Sequence, residues 1–106
     1  MEIKQYAVYW INLDPTQGSE VSKTRPCVII SPDDMNLYIK TVIIAPLTPT
    51  IKAYPSRVIC EIDGQHGSIM LDQLRTVDKS RISKLIGSLS SKEIADVKYV
   101  INQMLC

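Results

Sequence analysis

Hydrophobic positions along the chain fall in short clusters separated by turn-forming residues, and only the final segment changes to a helical period. Residues 6–11 string together aromatic and aliphatic side chains (Tyr6, Ala7, Val8, Tyr9, Trp10, Ile11), a composition suited to a pleated, largely buried surface, which predicts a first strand. Residues 13–24 then carry Asp14, Pro15, Thr16, Gln17, Gly18 and Ser19 without an apolar period, and read as a long exposed loop. Long loops in small domains commonly carry function. A second strand is expected over residues 26–31 and a third over 39–47, with Pro32, Asp33, Asp34 and Asn36 forming the turn between them. Because proline cannot donate to a central ladder, Pro46, Pro49 and Pro55 are expected to bracket a second polar loop containing Thr48, Thr50 and Lys52. Residues 57–62 form the fourth strand. Residues 63–67 read as a hairpin turn with Gly64 and Gly67 available for positive φ, leading into a short strand over 68–71 and placing His66 in the turn. Residues 72–76 are ambiguous between a helical turn and irregular chain, and 82–89 supply a last strand.

At the C-terminus Ser90 and Glu93 match a capping box, in which the hydroxyl accepts the third helical N–H and the carboxylate returns to the cap. Ile94, Val97, Ile101, Met104 and Leu105 follow at helical spacing as one apolar stripe, expected to pack on the sheet or on a partner. Five or six short strands and one terminal helix predict a mainly β fold with a C-terminal α-helix, built as a small, strongly bent antiparallel sheet or half-open barrel. With 106 residues, 45% of them hydrophobic, the chain is expected to form one domain over residues 1–106. A chain of this size removes roughly two-thirds of its unfolded surface from water without needing disulfides or a metal. No apolar run approaches a membrane span and no leader pattern opens the chain, so a cytoplasmic protein without membrane contact is expected.

Charge and composition narrow the chemistry. Twelve Lys and Arg against eleven Asp and Glu give a formal charge of +1, too little for broad counterion-release coating of nucleic acid. A single His excludes any mechanism that needs two imidazoles in one subunit. Cys27, Cys60 and Cys106 lie far apart with no C-x-x-C pair or metal-ligand spacing, and are expected to be structural thiols. The glycines are too scattered for a phosphate loop or dinucleotide fingerprint, so no metal and no cofactor is expected. The unusual constellation is Gly18, Ser19, Glu20 followed by Lys23, Thr24, Arg25 and Pro26 at the entry to an apolar strand. A guanidinium there is held by a rigid element yet faces what the loop covers, and its planar fork suits phosphate. An Arg25–Glu20 ion pair that ties down the loop accounts for the same residues equally well. For Thr48, a local backbone hydrogen bond stands beside a role in chemistry. The basic stretch of Arg75, Lys79, Arg81 and Lys84 reads either as a phosphate track or as a solvated face.

The run Trp10 to Glu20, then Lys23, Thr24, Arg25, Pro26 and Val28 to Ser31, closely resembles the PemK/MazF toxins of type II toxin–antitoxin systems. Ala45 to Thr48, Gly67 to Leu71 and Asp72 to Arg75, with the capped helix, extend the resemblance over essentially the whole chain. It implies an SH3-like antiparallel barrel of the CcdB/MazF type, a homodimer, and a bacterial toxin that cleaves single-stranded RNA at a short sequence without metal, as an mRNA interferase. It also implies catalytic roles for Arg25, Thr48 and Glu20, and inhibition by a cognate antitoxin whose acidic, partly disordered segment covers the RNA groove. Gln17, Ser19, Lys23 and Arg75 are the expected RNA contacts, since short polar and basic side chains read exposed base edges and phosphates. Cleavage by the 2′-OH would leave a 2′,3′-cyclic phosphate and a 5′-OH. The alternative is a non-enzymatic toxin of the same fold, similar to CcdB, which poisons DNA gyrase through its terminal helices.

Overall fold

The computed structural model describes residues 2–14 and 23–106. Its strands are β1 (Ala7–Asn12), β2 (Thr24–Ile29), β3 (Thr41–Thr48), β4 (Arg57–Ile62), β5 (Gln65–Met70), β6 (Arg75–Asp78) and β7 (Ile82–Ser88), with helices α1 (Asp33–Tyr38) and α2 (Ser91–Leu105). The strands form one antiparallel sheet in the order β4-β5-β3-β2-β1-β7, with β6 also paired to β3. Mainly β architecture with a terminal helix thus agrees with the sequence reading.

Strand β3 organises the curl. One edge pairs with β2 through Cys27↔Pro46, Val28↔Ala45 and Ile29↔Ile44. The other edge pairs first with β6, as far as Ile44↔Arg75, and then with β5 from Leu47↔Ile69 onward. Pro46 lies inside β3, within the strand expected over 39–47, and the strand continues through Thr48, which the sequence had placed in the following loop. That second edge skips residues 45 and 46, so the missing proline N–H costs no ladder bond there.

Because alternate residues point to opposite faces of a sheet, the strands feed two apolar clusters. Tyr9, Ile11, Cys27, Ile29, Val42 and Ile44 belong to the first. Val8, Val28, Ala45, Leu47, Val58 and Ile69 belong to the second, which α2 covers with fully buried Val97 and partly buried Ile94, Val100 and Ile101. The predicted capping box is present, with Ser90 N–H donating to Glu93 Oε1 at 2.8 Å and Glu93 N–H donating to Ser90 Oγ at 3.2 Å. Glu93 Oε2 also accepts Glu61 N–H at 2.8 Å, tying the start of α2 to β4. The apolar stripe loses its cover at its end, where Met104 and Leu105 are exposed.

Three local expectations change. The segment predicted as a turn at Pro32 to Asn36 is helix α1, whose acidic first turn at Asp33 and Asp34 complements the helix dipole. Buried Asn36 is satisfied there by donating Nδ2–H to the Ser31 carbonyl at 2.9 Å and accepting the Ser31 hydroxyl. The hairpin turn between β4 and β5 is only Asp63 and Gly64, both at positive φ (53° and 76°), so His66 stands on β5. The ambiguous residues 72–76 divide between a 3-10 turn over Leu71–Gln73 and the start of β6.

Candidate active site

Arg25 is the second residue of β2, directly across from Ile11 on β1. Arg25 and Thr48 each lie two residues past the terminal Cys27↔Pro46 pair of the β2–β3 ladder, on the sides of their strands that Cys27 and Pro46 occupy. On the far side of β3, Arg75 pairs with Ile44, whose side chain belongs to that same face. The sheet thus brings Arg25 and Arg75 to the Cys27 end of the first apolar cluster, with Thr48 ending the strand that pairs with β2. Both guanidinium groups lie near enough to buried Cys27 for their charges to act on its thiol. Burial pushes its thiol up to about 12, against the opposing pull of the Arg25 and Arg75 charges, so it stays neutral at physiological pH.

Each of these side chains is held differently. Arg25 is half-buried, and its Nε is buried with no hydrogen-bond partner among the described residues. An orphaned guanidinium N–H away from water costs stability unless an anion or acceptor reaches it. Thr48 ends β3 half-buried, and its Oγ1 accepts Thr50 N–H at 3.3 Å, so the local bond weighed from the sequence is present. That bond uses an acceptor site of the hydroxyl and leaves its O–H free to donate. Arg75 donates Nη1–H to the Leu13 carbonyl at 3.2 Å, which gives it a share in holding the loop root.

Around that root the backbone is strongly pinned. Lys23 adopts φ 68°, its N–H donates to Asp14 Oδ1 at 2.7 Å, and its carbonyl accepts Leu13 N–H at 3.0 Å. Arg81 donates to the Asn12 carbonyl at 3.2 Å and also to the Asp14 carbonyl. Asp14 and Arg81 thus build the loop's base, a role the sequence did not mark. Arg81 had registered there only as part of a basic stretch, and its partners lie more than sixty residues away in the chain. Beside them runs an open groove of about 570 Å³ lined by Asn12, Asp14, Thr24, Arg81 and Ser83. The remaining expected site residues, Gln17, Ser19 and Glu20, lie outside the described residues. His66 stands exposed on β5 with Nε2 3.2 Å from Glu61 Oε1. Among the described residues no three His, Cys, Asp or Glu side chains converge as a metal-ligand group, and no helix is long and apolar enough to cross a membrane.

A family model for the PemK-like, MazF-like toxin of type II toxin–antitoxin systems matches residues 4–105. Endoribonuclease MazF of Staphylococcus saprophyticus is 37% identical over 101 residues, covering 90% of this chain and 84% of the relative. Among solved structures, MazF of Deinococcus radiodurans superposes with a TM-score of 0.88 at 24% identity, covering 99% of this chain and 97% of that one. A MazE–MazF complex from the same organism matches with a TM-score of 0.81 at 24% identity, covering 99% of this chain and 96% of that one.

Proposed function

The chain belongs to the PemK-like, MazF-like toxin family, and on that premise we propose that Arg25 and Thr48 form the catalytic rim of an endoribonuclease toxin acting on single-stranded RNA. The observation that carries this reading is the Arg25 guanidinium, held on β2 beside Cys27 with a buried Nε that has no partner among the described residues.

In the proposed reaction the substrate's 2′ oxygen attacks the adjacent phosphorus, the P–O5′ bond breaks, and the 2′ proton leaves to a base while the 5′ oxygen gains a proton. Products are a 2′,3′-cyclic phosphate and a 5′-OH. Arg25 stabilises the charge that builds on the non-bridging oxygens, a preorganised contribution worth typically about 3 kcal/mol for one well-aimed donor. A guanidinium is not the base, because its pKa exceeds about 12. Thr48, its oxygen engaged by Thr50 N–H, donates its hydroxyl hydrogen to a phosphate oxygen. Glu20 is assigned to accept the 2′ proton or to orient Arg25. Gln17, Ser19, Lys23 and Arg75 are assigned to the RNA path, and Arg75 has donors left after its bond to Leu13.

Two partners complete the reading. Solved relatives carry the names MazE–MazF and endoribonuclease in complex with its cognate antitoxin. We assign to this chain a homodimer and an antitoxin whose acidic segment covers the arginine rim. The curated relatives are named as endoribonucleases, which favours RNA cleavage over the gyrase-poisoning alternative. Incubating the purified protein with a long RNA in EDTA tests the function. Discrete cuts that disappear in Arg25→Ala and Thr48→Ala support it, and intact RNA with folded wild-type protein contradicts it.

A further inference from the structure

The turn that follows Thr48 is held from the neighbouring strand. Thr50 is fixed at both ends: its N–H donates to Thr48 Oγ1 at 3.3 Å, and its carbonyl accepts the Ser68 hydroxyl at 3.1 Å. Ser68 is fully buried and sits opposite Thr48 in the β3–β5 ladder. A fully buried hydroxyl is costly to keep without a hydrogen bond, and that of Ser68 donates to this turn. Next to it, Gly67 lies so close to β3 that a Cβ added there would meet the Thr48 carbonyl oxygen at 2.7 Å. That contact is with backbone, which cannot swing aside, so the absence of a side chain at Gly67 sets how near Thr48 lies to β5.

We propose that Ser68 and Gly67 are positioning residues for Thr48: Ser68 anchors Thr50, Thr50 N–H orients the Thr48 hydroxyl, and Gly67 fixes the depth of the Thr48 backbone. The inference rests on the reading of Thr48 as a catalytic group. Neither residue touches the reacting phosphate in this account, so their loss lowers turnover and leaves substrate affinity in place.

The test is steady-state cleavage of a short oligoribonucleotide containing a mapped cut site, by Thr48→Ala, Ser68→Ala, Gly67→Ala and Ser31→Ala. Ser31 supplies the control, being a buried serine whose hydroxyl accepts Ile43 N–H at 3.1 Å away from Thr48. Expected are kcat losses of at least about tenfold in Ser68→Ala and Gly67→Ala with KM within about twofold, and normal kcat in Ser31→Ala at comparable thermal destabilisation. Gly67→Ala carries the test if Ser68→Ala does not fold. Normal kcat in the folded variants while Thr48→Ala is inactive overturns the positioning role. Equal kcat losses in Ser31→Ala reduce the effect to destabilisation and overturn it too. Full activity in Thr48→Ala instead overturns the catalytic reading on which the role rests.

Discussion

The two apolar clusters share strands β1, β2 and β3 but end differently. The second is closed: α2 lies over it with Val97 fully buried, and the helix start is satisfied twice, by Ser90 and Glu93 within the helix and by Glu93 to β4. The first ends in charge, with the Arg25 and Arg75 guanidinium groups acting on its buried Cys27. At the closed end Ser90 and Glu93 complete secondary structure, whereas the other face keeps a buried guanidinium N–H unpartnered among the described residues. A preorganised donor of that kind weakens the free protein and is recovered only when an anion arrives, the usual relation between a binding site and stability. On the proposed assignment, the reacting groups stand at the rim of the first cluster, while the terminal helix packs on the second.

The sharpest way to break that division is at Arg25. Arg25→Ala is expected to reduce cleavage on the order of a hundredfold to a thousandfold while leaving the melting temperature equal or higher, and Arg25→Lys should not restore the fork geometry. Cleavage kinetics beside calorimetry reads both halves. On the closed face the expectation reverses: Val97→Ala should cost roughly 2 kcal/mol in denaturant unfolding by leaving a cavity under α2, with normal turnover per folded molecule. Ser90→Ala should cost about 1 kcal/mol by removing the cap, measured the same way and again without change in turnover.

A smaller effect sits at the edge of the closed face, where Arg57 Nε lies 3.3 Å from Asp72 Oδ1. Burial pushes the Asp72 carboxyl up, but hydrogen bonds from Arg57 and Ser56 and the Arg57 charge outweigh it and hold the carboxyl below its usual value of 3.8. A carboxyl lowered on folding stabilises the protein above its unfolded pKa, and that contribution fades as pH falls through the folded one. Unfolding followed between pH 5 and pH 2, a range of about one to two units around the ordinary carboxylate value, should show a steeper acid loss in the wild type than in Asp72→Asn.

Particular residues show how far the sequence could be read. Strands β1, β2 and β4 were legible because compact apolar clusters between turn-formers have few other solutions, and α2 was legible from its cap and period. Helix α1 was hidden because proline followed by two aspartates signals a turn and a helix start alike. Strand β6 buries only Val77 among its four residues, and exists through its pairing with β3, which no local pattern encodes. Arg25 stood out where a polar loop enters a strand, and Thr48 only through the resemblance to the PemK/MazF toxins. Their juxtaposition did not, since it depends on how β2 meets β3 and on the change of partner at Pro46.

The central claim is that this rim cleaves RNA by internal attack, using side chains of the chain alone. End-group mapping of a long RNA incubated with the protein in EDTA tests it most directly. A 2′,3′-cyclic phosphate and a 5′-OH at each cut, absent with Arg25→Ala, is the result expected. Fragments bearing 5′-phosphate and 3′-OH ends, or cuts that persist undiminished in Arg25→Ala, would contradict it.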